Sequence, residues 1–297
     1  MKIAHYLLIS ILADGICSFA NAQGSFVLFG NGEEVPAEKK TVRPLSAPYL
    51  HEDALITTDV RGWFLHHDLA ELEGTLNVYA LQARIAIFEN LQFLAYKDGY
   101  SEFSDDNGNN LADGWNDIGL GLKLALFQDV GSQFFLAIGA GYEFGVGDDQ
   151  VLQDTDEFRF WLSANKGFGR LHLGATGNYI LAEDGKFDGT AGNSDMLTLH
   201  FHADYYLTSW LSPVVELNGY FVQEANSSAF PVIDFSGVDA VSINGGEDND
   251  VITYALGFEV RPLVESLGLR AAYEAQLNDD EESLFGHRWT FSAVFEF

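Results

Sequence analysis

Hydrophobic and polar residues alternate along most of this chain, and the alternation is clearest at its carboxyl end. One face there carries Trp289, Phe291, Ala293, Phe295 and Phe297, and the intervening positions from Arg288 to Glu296 are mostly polar. A period of two is that of a β-strand, whose successive side chains point to opposite faces. A soluble sandwich rarely ends on an exposed aromatic face, whereas a transmembrane β-barrel has lipid outside and water inside. The pattern therefore favours transmembrane strands.

About twelve alternating runs follow one another from Ala54 onwards, separated by turn residues. They span residues 54–67, 74–88, 91–100, 115–127, 132–144, 155–166, 170–182, 195–207, 209–224, 251–263, 267–278 and 286–297. Most are longer than the roughly 9 residues that a tilted barrel strand needs to cross a bilayer, and longer than a typical sandwich strand of about 5–6 residues. The sequence predicts an all-β fold, a transmembrane up-and-down antiparallel β-barrel of about 12 strands over residues 54–297.

The connections between these runs alternate in length. Short ones fall at 89–90, 128–131, 167–169, 208 and 265–266, and longer, mostly acidic ones at 68–73, 101–114, 145–154, 183–194, 225–250 and 279–285. Outer-membrane barrels have short periplasmic turns and longer external loops. An even number of strands also closes the sheet, leaves no unpaired edge in lipid and puts both termini in the periplasm.

The amino-terminal segment has the features of an export signal. Lys2 precedes a short apolar stretch, and the Ala-Asn-Ala sequence at 20–22 resembles a cleavage site, so residues 1–22 are predicted to be removed. The apolar stretch is too short for a transmembrane anchor, which is the alternative. The only cysteine, Cys17, lies within this signal. Residues 23–53 are predicted to form an irregular lead segment, either periplasmic or plug-like.

The chain is strongly acidic, with a formal net charge of −29. Nucleic acid is therefore excluded as a partner, because binding to phosphates needs a basic surface. Many charged and histidine residues fall on the inward face of the predicted strands. The candidate pore-lining residues are Arg84, Asp117, Lys123, Glu143, Glu157, Arg159, Arg170, His200, His202, Asp204, Glu259, Arg261, Arg270, Glu274 and Arg288. Rings of charge can select solutes, but the same residues can also form structural ion pairs, and both roles remain open.

Most of the excess negative charge falls in the predicted outer loops. Carboxylate clusters suit Ca²⁺ or Mg²⁺, which could bridge the loops to anionic lipopolysaccharide; the alternative is a solvated surface. Asp105, Asn107 and Asn109 are weak candidates for a calcium site, since position 12 of an EF-hand-like loop would be Asn116 rather than Glu. We expect no other cofactor.

The longest predicted loop, residues 225–250, contains an unusually apolar stretch. Phe230, Ile233 and Phe235 are its candidate constriction residues. Long loops without regular structure are usually functional or disordered. This loop either folds into the barrel mouth or packs on its neighbours outside.

Little in the sequence calls for catalysis. A barrel phospholipase would need a His-x-Ser pair, and neither His200 nor His202 has a serine two residues later. A Ser–His–Asp site assembled from separate strands stays as an alternative. His200 and His202 share a face with Asp204 and could bind a metal, but two polar lumen residues are the favoured interpretation. We therefore expect a protein that is not an enzyme.

The stretch Gly114–Lys123, with sequence GWNDIGLGLK, resembles the outer-membrane transporter family named for the meta-pathway of phenol degradation. That family carries a similar Gly-x-x-Asp-apolar-x-apolar-Gly-x-Lys pattern in its barrel strands. The resemblance extends loosely over residues 54–297 and implies a barrel channel that helps hydrophobic or aromatic compounds cross the outer membrane. It implies no catalytic or binding residues.

Taken together, these features predict a multi-pass barrel in the outer membrane of a Gram-negative bacterium, acting as a passive channel for a small-molecule solute. Its predicted partners are outer-membrane lipid, lipopolysaccharide and the barrel assembly machinery. The aromatic residues Phe291, Phe295 and Phe297 are the predicted assembly signal. The alternative is a non-conducting surface barrel with an adhesion, receptor or structural role, whose lumen is closed by its own ion pairs.

Overall fold

The computed structural model describes residues 26–30, 35–69, 74–105, 113–148, 156–182, 195–224, 250–261, 266–277 and 285–297. These residues form fourteen strand segments and one short 3-10 helix at Ala37–Lys39. The strands are β1 (Asp59–Leu69), β2 (Gly74–Phe88), β3 (Leu91–Lys97), β4 (Tyr100–Asp105), β5 (Gly114–Trp115), β6 (Ile118–Asp129), β7 (Phe134–Phe144), β8 (Glu157–Phe168), β9 (Leu171–Ala182), β10 (Asp195–Tyr205), β11 (Leu211–Glu224), β12 (Val251–Val260), β13 (Leu267–Gln276) and β14 (Phe285–Glu296).

The segments form one closed antiparallel barrel of twelve strands, as predicted. The first strand, β1, pairs with β2 on one side and with the last strand, β14, on the other, which closes the sheet. The third barrel strand consists of β3 and β4 together, because both pair with β2. The fourth likewise consists of β5 and β6, which pair with β4 and β3 respectively. Closure satisfies the backbone groups that lipid could not solvate.

The predicted facing of the strands is confirmed. In β6, Ile118 and Leu122 are exposed on the outer face, whereas Gly119, Gly121 and Lys123 are buried inside. In β10, alternation likewise exposes the leucine and phenylalanine positions and buries the histidines. The outer face of the barrel is therefore an apolar belt around a largely polar interior, which is the arrangement that a bilayer requires.

Short turns and chain ends lie at one end of the barrel, which we call the turn end. Tight connections at residues 89–90 and 169–170 lie there, and Phe297 bonds to Thr58 and Phe26 through backbone atoms. The opposite end, where the longer connections lie, is the loop end. In an outer-membrane barrel the turn end faces the periplasm.

Two strand boundaries differ from the prediction by more than three residues. The first strand begins at Asp59 rather than 54, because residues 54–58 lie in the interior instead. The third strand continues to Asp105, so part of the predicted loop 101–114 is strand. The third and fourth strands are also interrupted, at 98–99 and 116–117, which the alternation alone did not predict.

Some predicted features lie outside the described residues. They are the signal peptide at residues 1–22, the loop residues Phe230, Ile233 and Phe235, and the calcium candidates Asn107 and Asn109; the side chain of Asp105 is not described either. No helix among the described residues is long and apolar enough to cross a membrane.

Candidate functional site

A re-entrant hairpin formed by residues 41–58 occupies the barrel lumen. We call it the lumen hairpin; it has a first limb (41–46), a turn (47–51) and a second limb (52–58). The amides of Leu50 and His51 both donate to the carbonyl of Ala47, at 3.0 and 2.9 Å, and close the turn. Nearly all of these residues are buried. Because an irregular backbone cannot be exposed to lipid, the barrel wall must satisfy its polar groups.

Two wall carboxylates hold the first limb. Asp204 accepts hydrogen bonds from the Thr41 hydroxyl at 2.7 Å and from the Val42 amide at 3.0 Å. Glu216 accepts from the amides of Leu45 and Ser46, at 2.9 and 2.6 Å. Charge-assisted hydrogen bonds of this kind are stronger than neutral ones, so β10 and β11 bind the first limb mainly through its backbone.

Histidines keep these two carboxylates in place. His202 lies between them, with ring nitrogens 2.7 Å from Glu216 and 3.1 Å from Asp204. Nδ1 of His172 is 2.8 Å from the other oxygen of Asp204. His202 therefore belongs to an anchoring network, whereas the ring nitrogens of His200 lie 2.8 Å from Asn218 and 2.9 Å from Thr198. No group of three metal-ligating side chains forms a metal site among the described residues.

Wall cations hold the second limb through two adjacent acids. Glu52 pairs with Arg84, and its carboxylate is 3.8 Å from Nζ of Lys123. Asp53 lies 3.5 to 3.7 Å from Arg61, Lys123 and Arg43. The side chains of this cluster are almost completely buried, so each charge depends on its partners to offset the cost of dehydration.

The charge cluster shifts the ionisation of the hairpin acids. Burial alone would raise the pKa of Glu52, but Arg84 and Lys123 outweigh it and hold that pKa below its usual range. Burial likewise opposes ionisation of Asp53, yet Arg43 and Lys123 lower its pKa strongly. Both acids are therefore carboxylates at neutral pH.

The hairpin turn is bound through its carbonyl groups. Arg159 donates to the carbonyls of Tyr49 and Leu50, the latter at 2.7 Å, and its guanidinium stacks 5.0 Å from the Tyr96 ring and 4.7 Å from the Trp161 ring. The flat ring of Trp161 fits against the wall because position 139 is glycine; a Cβ there would lie 2.0 Å from the ring.

The structure places most of the predicted pore-lining residues in the interior. Buried and inward are Arg84, Asp117, Lys123, Glu143, Glu157, Arg159, His200, His202, Asp204, Glu259, Arg270, Glu274 and Arg288. Many are paired with one another, for example Arg270 with Glu259 at 2.7 Å and Arg288 with Glu274 at 2.5 Å. Their role in selecting a solute stays a prediction.

Two of the predicted pore-lining residues lie elsewhere. Arg170 is exposed in the turn between β8 and β9, where it contacts the Tyr206 ring at 5.7 Å, so its assignment to the pore was wrong. The predicted run began one residue too early, which moved a turn residue into the strand. Arg261 follows the end of β12 and is half-buried beside Glu259.

The barrel wall has a notch where its third strand is interrupted at Asp98 and Gly99. Strand β2 pairs with β4 up to Tyr79 and with β3 from Ala83, and residues 80–82 between them have no strand-ladder partner among the described residues of the third strand. Gly99 has a φ of +132°, and a Cβ there would lie 2.6 Å from the Tyr79 carbonyl. Glycine is therefore required at this position.

An apolar groove of about 670 Å³ lies on the outer face of the barrel beside the notch. Its lining includes Gly62, Trp63, Phe64, Tyr79, Leu81, Asp98, Gly99, Trp115, Leu269 and Phe291. Gly62 leaves space at the groove, since a Cβ there would meet nothing within 4 Å. The alternating pattern did not predict this groove.

No protein-family model and no curated protein sequence matches this chain. Its fold is similar to the crystal structure of the COG4313 outer membrane channel from Pseudomonas putida F1, at a TM-score of 0.61 and 16% identity, over 86% of this chain and 100% of that one. The KdgM porin is a more distant match, at a TM-score of 0.48 and 9% identity, over 80% of this chain and 99% of that one.

The likeness to the COG4313 channel concerns the fold, and it agrees with the closed barrel and its apolar belt. Both fit the predicted location in the outer membrane of a Gram-negative bacterium. The resemblance to the phenol meta-pathway family is not confirmed.

Proposed function

We propose that this protein transports small apolar solutes across the outer membrane, and that such solutes meet the barrel at the wall groove. The observation that carries the proposal is the groove itself, about 670 Å³ of space lined mostly by aromatic and aliphatic side chains and open to the membrane. An apolar molecule concentrates in lipid, where it gains roughly 25 cal/mol for each Å² of apolar surface removed from water. The groove would bind the apolar molecule directly from the lipid.

The interior supports a route other than a wide aqueous pore. Buried ion pairs and the lumen hairpin occupy much of it, whereas the loop half of β1 and β2 presents the apolar cluster Trp63, Leu65, Leu69, Leu76 and Val78. Trp63 and the groove are adjacent, because Trp63 is among the groove's lining residues. A single side chain, that of Trp63, therefore separates an apolar solute at the notch from this apolar cluster in the interior.

A matched pair of variants tests this proposal. Gly62→Phe fills the groove, where a side chain meets no neighbour, and Ala203→Phe adds the same ring to the outer face of β10 away from it. The probe is the apolar dye N-phenyl-1-naphthylamine, whose fluorescence reports its arrival in the membrane interior of cells that express the protein. We expect expression to speed the uptake, Gly62→Phe to abolish the gain and Ala203→Phe to retain it. Equal uptake by both variants would contradict the groove as the route.

A second candidate is the non-conducting surface barrel, and the ion-paired lumen favours it. Paired Arg, Lys, Asp and Glu side chains hold the hairpin in place as a structural core would. This candidate predicts dye uptake equal to that of cells without the protein, and no current across a planar bilayer. We also propose that the protein has no catalytic activity; ester cleavage that is lost on substituting one serine or histidine would favour the hydrolase alternative.

A further inference from the structure

The lumen hairpin and the wall notch are in direct contact. The Tyr49 hydroxyl, at the hairpin turn, donates a 2.7 Å hydrogen bond to the carbonyl of Asp98, which is the residue at which the third strand breaks. The Gln82 side chain, in the unpaired stretch of β2, donates to the carbonyls of Pro48 and Tyr96, at 3.0 and 2.5 Å. The turn therefore bonds to both sides of the break.

Both polar atoms of the Gln82 side chain, its oxygen and its nitrogen, make two hydrogen bonds each. Its oxygen accepts from the Trp63 indole at 3.1 Å and from Arg84 at 3.2 Å, and its nitrogen makes the two bonds to carbonyls. Gln82 is completely buried. It connects β1, β2, the third strand and the hairpin at one point, and one of the residues it holds, Trp63, lines the groove.

Without the side-chain donors of Tyr49 and Gln82, the notch would leave strand carbonyls without hydrogen bonds and would destabilise the barrel. A strand carbonyl left without a donor in a lipid environment loses the free energy of a hydrogen bond, so an interrupted ladder tends to close. At the notch, a hydroxyl and an amide side chain supply donors to the carbonyls of Asp98 and Tyr96. On the outer side, the Leu81 amide donates to the Asp98 carboxylate, at 3.2 Å.

We propose that Tyr49 and Gln82 are positioning residues, through which the seated lumen hairpin holds the wall notch, and with it the groove, open. When the hairpin leaves its seat, the notch loses the Tyr49 donor and the Pro48 acceptor, and β2 moves toward the third strand. The groove is therefore accessible only while the hairpin is in place. This inference rests on the proposed function for its biological meaning, but the coupling itself can be measured without any solute.

The measurement is the distance between spin labels on Leu81→Cys in β2 and Leu122→Cys in β6, two exposed outer-face positions on opposite sides of the notch. The only natural cysteine, Cys17, lies in the predicted signal peptide, so the two labels are the only thiols of the processed chain. The distance distribution is recorded by pulsed electron paramagnetic resonance in lipid nanodiscs. We expect one main distance with the hairpin seated.

The variant is Tyr49→Phe, which removes the hydroxyl and leaves the ring. The control is Tyr79→Phe, which removes a hydroxyl beside the same groove that bonds to Glu102 at 3.1 Å and does not contact the hairpin. We expect Tyr49→Phe to add a population shorter by roughly 2–4 Å, a fraction of the ~4.8 Å strand spacing. Tyr49→Phe combined with Gln82→Leu enlarges that population, and Tyr79→Phe leaves the distribution unchanged.

Unchanged distances in Tyr49→Phe and in the double variant would overturn the inference, as would an equal shift in Tyr79→Phe. Dye uptake separates this result from the proposed function. A shortened distance with unaltered uptake would support the coupling and reject the groove as the transport site. Unaltered distances with groove-dependent uptake would reject the coupling and support the groove as the transport site.

Discussion

The two limbs of the lumen hairpin are held by opposite chemistry. The first limb presents backbone N–H groups and the Thr41 hydroxyl to two wall carboxylates, Asp204 and Glu216. The second limb presents acids and carbonyls to wall cations and donors, among them Arg84 and Lys123. One segment thus fits a wall that is acidic on β10 and β11 and basic on β2 and β6.

This difference shows how a polar segment can be stable inside a barrel. The first limb supplies no charge to the wall carboxylates, which contact His172 and His202 of the wall instead. Its one charged residue, Arg43, pairs with Asp53 of the second limb and with Glu296. On the second limb the hairpin supplies the charges, and removing it would leave Arg61, Arg84 and Lys123 crowded together without Glu52 and Asp53. The second limb should therefore contribute more to stability than the first.

The largest effect is expected for Glu52→Gln, which keeps the shape of the side chain and removes its charge. Breaking one side of a buried ion pair costs about 3–5 kcal/mol, since the partner charge stays buried. We expect the free energy of unfolding in urea, followed by tryptophan fluorescence at pH 7, to fall by about 4 kcal/mol.

The control is Glu38→Gln, the same substitution at an exposed position of the lead segment. Changes at exposed positions usually stay within about 0.5 kcal/mol. Equal stability of the two variants would mean that the second limb is not held by its charges, and the contrast between the limbs would fail.

Much of the barrel could be predicted from sequence because lipid imposes a simple rule on it. Every outer-face position must be apolar, so the alternation in β6 and β10 identified both the strands and their facing. The same logic placed Arg84, Lys123 and Asp204 in the interior. Arg170 was misplaced because a turn residue at the end of a strand continues the alternation by chance.

The hairpin and the notch follow no such rule. Residues 41–58 have no period, and many of their partners, such as Asn165 for Ala54, lie more than a hundred positions away. The available signal was charge balance: inward Arg61, Arg84 and Lys123 needed acids, and the adjacent Glu52 and Asp53 precede the first strand. At the notch, Tyr96 and Lys97 are both buried and the register shifts between Ala95 and Lys97, so the alternation of the third strand is broken there.

The hairpin turn should give the protein a pH dependence that neither limb gives. Burial lowers the pKa of His51 to about 4, against the attraction of Glu216, and Nδ1 of the ring has no hydrogen-bond partner among the described residues. A histidine with a depressed folded pKa favours unfolding once the unfolded chain takes up its proton. Stability is therefore complete above about pH 6.5 and falls, by up to about 3 kcal/mol, as the pH drops toward 4.

We expect His51→Asn to remove its share of this fall and His287→Asn, whose side chain is 39% exposed, to retain it. The measurement is the free energy of unfolding at intervals between pH 7 and pH 4. Glu52 and Asp53, whose pKa values are lowered, lose their contribution only below about pH 4, where the acids of the unfolded chain become protonated. A slope that persists in His51→Asn would assign the pH dependence to another group.

The smallest effect tests the first limb. Thr41→Val removes the hydroxyl that donates to Asp204 at 2.7 Å and nearly preserves the volume. A hydrogen bond to a charged group contributes about 1.5–3 kcal/mol, and the Val42 amide and His172 stay bound to the same carboxylate, so we expect a loss of about 1–2 kcal/mol. Thr290→Val is the matched control, because its buried hydroxyl has no partner among the described residues, and it should be neutral or stabilising. An equal fall in the free energy of unfolding for Thr41→Val and Glu52→Gln would contradict the expected difference. The hydrogen bonds to the wall carboxylates would then stabilise the hairpin as much as the ion pairs do.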